Sequence, residues 1–157
     1  ITLGGVSKGN YDLIRKHYRK LGIKILVDGI PIKPGKPLII GKLDSKIIFC
    51  LPGNPISSIV CSKLFIVALI KKMLGEKLEK IITRKALLSE DIEVPISQRE
   101  HYMRAFTYQE AATQYVKPFS RQDSSLHSVL IKSNCLLIIP PGSSSIFKDQ
   151  IVDIIDL

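Results

Sequence analysis

Tryptophan is absent from the 157 residues, aromatics make up only 6%, and there are just three cysteines and three histidines. So few rings exclude a single-strand nucleic-acid platform, which stacks bases on aromatics along a basic groove. Cys50, Cys61 and Cys135 lie far apart in apolar surroundings with no CxxC spacing, so no disulfide framework is expected. Buried, reduced thiols are the expectation, and they suit a cytoplasmic protein. His17, His101 and His127 share no metal-ligand spacing with one another or with cysteine, which disfavours zinc. No Ser-His-Asp set can be assembled, and neither a dinucleotide fingerprint nor a Walker A loop is present. A signal or transit segment is also lacking, as is an initiator methionine. The chain opens at Ile1-Thr2-Leu3, where a strand would be ending, and so reads as the later part of a longer chain.

Acidic residues are in deficit too: 14 Asp and Glu against 23 Lys and Arg, for a net charge of +9. A basic surface favours an anionic partner, although a generally Lys- and Ile-rich texture accounts for the same figure. With 45% hydrophobic residues, the chain has enough apolar material for one core or two small ones, and disorder is not expected. The longest apolar stretch, residues 55–74, carries Lys63 near its centre and closes on Lys71-Lys72. That pattern fits a packed soluble helix better than a membrane span.

Two compositional halves follow. Up to about Gly75, turns rich in Gly and Pro alternate with helical and strand-like runs, as in α/β domains. Residues 10–21 form an amphipathic pattern with Leu13, Ile14, Tyr18 and Leu21 on one side and Gly22 as the C-terminal cap. Strands are expected at 23–27, 38–40 and 47–51, and a long helix begins at Pro55 and ends at Gly75. This helix is apolar on more than one face, so it is either sandwiched in a core or covered by another subunit. The second half has strand signals at 92–96, 102–108, 115–118, 136–139 and 151–155, with a helical turn or two at 126–132. A small β-barrel or sandwich is expected there.

Three loops carry chemistry. Gly4-Gly5-Val6-Ser7-Lys8-Gly9-Asn10-Tyr11-Asp12 runs from a strand end into a helix. Its glycines let backbone amides approach a ligand and its helix start favours an anion. Asp12 either anchors a ligand or Mg²⁺, or simply caps the helix. Ile32-Lys33-Pro34-Gly35-Lys36-Pro37 is a stiff turn whose two lysines can converge on one oxyanion, or be solvated. Leu51-Pro52-Gly53-Asn54-Pro55-Ile56-Ser57-Ser58 is again a strand end, loop and helix start, where Asn54 and Ser57 either bind a ligand or cap the helix. Further polar candidates are Arg99, Arg104 and Gln122-Asp123-Ser124-Ser125.

In this order the three loops resemble the molybdopterin-binding domain of the MoeA/gephyrin family of molybdopterin molybdenumtransferases. Arg99-Glu100-His101-Tyr102-Met103-Arg104 is similar to the family's R-E-F-x-R strand. Gln122 to Ser125, then Leu136-Leu137-Ile138-Ile139-Pro140-Pro141-Gly142, resemble its Q-x-S stretch and the strand-Pro-x-Gly of its C-terminal barrel. The resemblance implies an α/β fold: a partial three-layer, MogA-like molybdopterin-binding domain over residues 1–76, then a small β-barrel domain over 77–157. It implies insertion of molybdate into adenylylated molybdopterin with release of AMP, Mg²⁺ as cofactor, and a homodimer in the full-length protein. The pterin is then a small-molecule partner and other molybdenum-cofactor enzymes are further ones, with neither nucleic acid nor membrane. A non-catalytic pterin-binding scaffold of the same fold is the alternative, and a basic nucleic-acid-binding protein the remotest.

Residue by residue, the resemblance places Asp12, Lys33 and Lys36 in catalysis, with Asp12 also toward Mg²⁺. Gly4, Gly5, Ser7, Gly9, Pro52, Gly53, Asn54 and Ser57 fall at the pterin, and Lys36, Ser57, Arg99 and Ser124 at molybdate. The task implied is to neutralise and position multiply charged groups, with no side-chain nucleophile. Lys8 and Asn10 depart from the family, which often has an apolar and an acidic residue there. An upstream half of the pterin-binding domain, with a further Gly-rich phosphate loop, and the family's N-terminal domains are expected outside this chain.

Overall fold

The computed structural model describes residues 1–6, 14–77, 81–120, 122 and 127–157, with the backbone alone at 127 and 128. The chain divides into two compact units, Ile1–Glu76 and Lys77–Leu157. Among the described residues no helix is long and apolar enough to cross a membrane.

In the first unit the chain runs through Thr2–Leu3 (β1), Ile14–Lys20 (α1), Lys24–Asp28 (β2), Ile32–Lys33 (β3), Ile39–Leu43 (β4) and Lys46–Leu51 (β5). It then enters the helical segment Pro55–Cys61 (α2), a π-helical stretch Ser62–Ile66, and Val67–Met73 (α3). Helix α1 ends as its sequence demands. Gly22 takes φ +73°, its N–H donates to the Arg19 carbonyl at 3.2 Å, and the Ile23 N–H reaches Tyr18 O at 2.9 Å, a Schellman closure. Gly75 closes α3 in the same way, with bonds from Gly75 N to Lys72 O and from Glu76 N to Lys71 O, both 3.1 Å. The expected single α-helix after Pro55 is thus interrupted by five π-helical residues. Ile56, Val60, Cys61, Leu64 and Ile66 are buried, whereas Ile59, Val67, Ile70, Met73 and Leu74 remain exposed.

The sheet of this unit is mixed, in the order β1-β5-β4-β2. Only β1 and β5 run parallel, while β5-β4 and β4-β2 are antiparallel. Alternation puts Ile39, Leu43, Ile48 and Cys50 on one face, where Ile14 and Tyr18 of α1 pack with Val6 and Ile23. Arg15 of α1 clamps Asp28 at the end of β2, with Nη2 at 2.6 Å from Oδ1 and Nε at 3.0 Å from both carboxylate oxygens.

The second unit is a five-stranded barrel of Arg84–Leu88 (β6), Glu100–Glu110 (β8), Thr113–Pro118 (β9), Cys135–Ile139 (β10) and Ile151–Asp156 (β12). Pairing runs β10-β12-β6-β9-β8 and closes by β8 against β10. Closure removes free edges, which decides for barrel over sandwich. Inward residues Ala86, Leu88, Met103, Ala105, Val116, Leu137, Ile139 and Ile154 fill it. A short ribbon of Ile92–Glu93 (β7) and Ser145–Ile146 (β11) lies outside, and His127–Lys132 (α4) precedes β10. Strand signals at 92–96 shrink to two residues because Pro95, with no N–H, cannot continue a ladder. Strand β6 was not expected, since it opens on Arg84-Lys85. Both charges are exposed and pair across strands, Lys85 Nζ with Asp153 at 2.8 Å and Arg84 Nε with Asp156 at 2.9 Å.

Candidate functional site

In the first unit, one row of residues crosses the sheet: Thr2 pairs with Cys50, Cys50 with Ile39, and Ile39 with Asp28. All three sequence loops leave the sheet just beyond this row. The glycine loop follows β1, the Pro52-Gly53-Asn54 loop follows β5, and residues 29–38 join β2 to β4. Three strand spacings separate β1 from β2, about 14 Å. The register therefore gathers at one sheet edge what the sequence holds some fifty positions apart.

The first and third loops touch. Gly4, at φ +84°, donates its N–H to Leu51 O at 2.9 Å, and a Cβ on Gly53 would stand 3.4 Å from Gly4 Cα. A Cβ on Gly5 would strike Ile14 at 2.8 Å, so glycine there lets α1 close on the loop. Pro52 is buried and Gly53 exposed. Asn54 caps α2, its Oδ1 accepting from Ser57 N at 3.2 Å and Ser57 Oγ at 3.5 Å. Ser57 is only 8% exposed, and the Ser58 hydroxyl donates to Pro52 O. The capping alternative is thus realised for Asn54, with Ser57 as the residue whose N–H it caps.

The lysine loop is laced by its own backbone: Gly29 N to Leu38 O at 2.8 Å, Ile30 N to Lys36 O at 2.9 Å and Leu38 N to Gly35 O at 3.2 Å. Lys33 is half-buried and Lys36 exposed. Gly35 is buried at φ +128° and sits against Cys61 of α2, whose thiol donates to Gly35 O at 3.7 Å. Ser7, Gly9 and Asp12 lie outside the described residues, as do Lys8 and Asn10.

Charge follows the same division. Residues 1–76 hold 13 Lys and Arg against 4 Asp and Glu, a net +9, leaving 10 against 10 for residues 77–157. The whole excess thus belongs to the unit that gathers the loops, and it favours a multiply charged anion there. Among the described residues no three His, Cys, Asp or Glu side chains gather to hold a metal ion.

Burial pushes the Cys61 thiol up from its ordinary 9 to about 12. Since the folded state holds the proton more tightly, this stabilisation is complete below about pH 9 and is lost as pH rises toward 12. Between those values Cys61 contributes a falling stability of up to about 1.4 kcal/mol per pH unit. Urea unfolding at pH 8 and pH 10.5 measures the fall, and Cys61→Ala is expected to reduce it. An identical slope in that variant would show that the thiol is not its source.

In the barrel unit, Arg99 stands just before β8 and donates its backbone N–H to Ser97 Oγ at 3.1 Å. Arg104 is only 2% exposed. Its backbone N–H and Nε donate to Gln122 Oε1 at 3.0 and 3.3 Å. Gln122 Nε2 in turn donates to Arg104 O at 2.9 Å and Phe119 O at 2.7 Å. Tyr102 is buried on the same outer face of β8 and donates to Glu100. Its phenol is pushed well above the usual range, first by burial and then by that carboxylate. Ser124 lies outside the described residues, with Asp123 and Ser125.

Both units match known families. Residues 1–72 match the probable molybdopterin binding domain, and residues 86–157 match the MoeA C-terminal region, domain IV. The chain belongs to the MoeA family. Among curated relatives of this MoeA-family chain, the molybdopterin molybdenumtransferase of Haemophilus influenzae is 31% identical over 156 residues, covering 98% of the chain and 38% of that protein. The Bacillus subtilis enzyme of the same name is 26% identical over 155 residues, covering 99% and 36%. A crystal structure of the molybdopterin biosynthesis moeA protein from Pyrococcus horikoshii superposes with a TM-score of 0.72 at 26% identity, over 91% of this chain and 34% of that one. The chain thus spans a little over a third of the curated relatives' length.

For a MoeA-family chain, the supports sequence reasoning missed are Gly35, Cys50 and Cys61. The cysteines were read only as buried thiols. Their place in the segment flanking Pro52-Gly53-Asn54 is the signal that could have singled them out.

Proposed function

We propose that this chain serves molybdenum cofactor biosynthesis as part of a molybdopterin molybdenumtransferase, which inserts molybdate into adenylylated molybdopterin with release of AMP. The observation that carries the reading is the row Thr2-Cys50-Ile39-Asp28, from which the three loops leave one sheet edge in the unit that holds the net +9. In this reading Gly4, Gly5, Ser7, Gly9, Pro52, Gly53 and Asn54 line the pterin. Lys33 and Lys36 offset the charge of the oxyanion and phosphate groups, with Lys36, Ser57, Arg99 and Ser124 toward molybdate. The relatives' shared name, molybdopterin molybdenumtransferase, supports the choice of substrates.

Chemistry of this class asks the protein for positioning and charge offset. Backbone amides of the glycine loops donate to anionic oxygens, and the lysines hold those oxygens in place. Asp12 is the one carboxylate assigned to Mg²⁺, so the ion enters on the substrate's phosphates, as Mg²⁺ commonly does. The exposed stripe of Ile59, Val67, Ile70, Met73 and Leu74 supports a covering neighbour, and a homodimer of the full-length protein supplies one. A cytoplasmic location and hand-over to molybdenum-cofactor enzymes complete the proposal.

Calorimetric titration of molybdopterin into the 157-residue chain tests it. Saturable binding is expected, weakened roughly 10- to 100-fold by Lys36→Ala, the loss of one charge-assisted contact. No binding by a folded chain, or binding indifferent to Lys36, would overturn the site.

A further inference from the structure

The segment from β5 into α2 does more than carry its own loop. Cys50, near the end of β5, donates its thiol hydrogen to Gly4 O at 3.5 Å. Cys61, the last residue of α2, donates to Gly35 O at 3.7 Å. Between them, Gly53 lies against Gly4 and Asn54 caps the helix. Both cysteines are buried, and the Cys61–Gly35 contact is buried throughout, so a weak S–H···O contact counts for more there than on a surface. The Cys61 contact is also steric, because a Cβ on Gly35 would lie 2.9 Å from its sulfur. The helix turns π immediately beyond Cys61, and π segments often mark functional places.

We propose that Cys50 and Cys61 are positioning residues of the anion site, through which the β5–α2 segment sets the glycine loop and the lysine loop relative to its own loop. This rests on the proposed function only for the identity of the ligand. Both carbonyls belong to glycines, where no side chain of their own keeps a neighbouring donor from the backbone. Cys61 is suited to donate, since burial pushes its thiol up to about 12 and keeps it protonated at neutral pH.

The test compares Cys61→Val, which removes the donor at similar volume, with Cys61→Ser, which keeps one, in the 157-residue chain. In ligand-free protein, the amide resonances of Gly35 and Lys36 are expected to move in Cys61→Val and to return toward wild type in Cys61→Ser. Molybdopterin affinity is expected to fall about threefold in Cys61→Val, the worth of one weak hydrogen bond, and to recover in Cys61→Ser. Cys61→Ala replaces Cys61→Val should valine prevent folding. Cys50→Ala and Cys50→Ser, read at the Gly5 amide, test the other contact. Unmoved loop amides in the donor-less variants would overturn the proposal. So would equal losses in the Val and Ser variants that simply track their melting temperatures. A wild-type chain that fails to bind molybdopterin would sink the proposed function, while the amide comparison would still decide the role of the thiols.

Discussion

Replacing Gly35 by alanine is expected to cost the first unit about 3 kcal/mol, from backbone strain and overpacking together. Gly35 sits at φ +128°, outside the conformations an L-residue adopts cheaply. The space is closed as well. An added Cβ would meet Ile32 Cδ1 at 2.6 Å and Cys61 Sγ at 2.9 Å, and both neighbours are buried. A fall of roughly 10–20 °C in the melting temperature of this unit should follow. The Lys33-to-Lys36 turn would be displaced with it, so ligand affinity should fall beyond what lost stability explains. Gly22→Ala is the control, because Gly22 also has positive φ (+73°) but an added Cβ would meet nothing within 4 Å. Only strain applies there, about 1 kcal/mol. Equal costs at the two positions would show that contact with Cys61 and Ile32 does not limit the loop.

Much of this was legible because it is local. The Gly22 and Gly75 helix ends, the strand at 47–51 and the order of the three loops follow from turn chemistry and apolar runs within a few residues. Strand β6 stayed hidden because Arg84 and Lys85 find Asp156 and Asp153 some seventy positions away, and a window of neighbours contains no such partner. The π-helical stretch at Ser62–Ile66 leaves no mark in an apolar periodicity that reads as ordinary helix. Convergence of the loops has the same character. Each is recognisable alone, but whether they share one edge depends on the register of β1 and β4 against β5, which is set by non-local pairing. The support of Gly4 and Gly35 by two thiols is a further step removed, since a buried cysteine in an apolar run reads as core.

Gln122→Ala is expected to cost the barrel unit about 3 kcal/mol, for a reason that separates support from chemistry. One amide side chain serves four groups: Oε1 takes the Arg104 N–H and Nε, and Nε2 gives to Arg104 O and Phe119 O. Phe119 N also donates to Arg104 O at 3.1 Å, so that carbonyl keeps a partner. The Arg104 N–H, its Nε and the Phe119 carbonyl each lose this contact, beside a side chain only 2% exposed, and a lost hydrogen bond of this kind costs about 1 kcal/mol or more. A buried guanidinium is costly when a partner is removed and far less so when the whole arrangement is replaced by apolar groups. Arg104→Met combined with Gln122→Ala should therefore be less destabilised than the sum of the two single variants, with a coupling of about 1 kcal/mol or more in urea unfolding. Strict additivity would show that Gln122 holds the Phe119 strand end and not the arginine. The coupling bears on the site as well. Gln122 precedes by two positions the Ser124 proposed for molybdate, and in the folded barrel its own amide is engaged by Arg104 and Phe119.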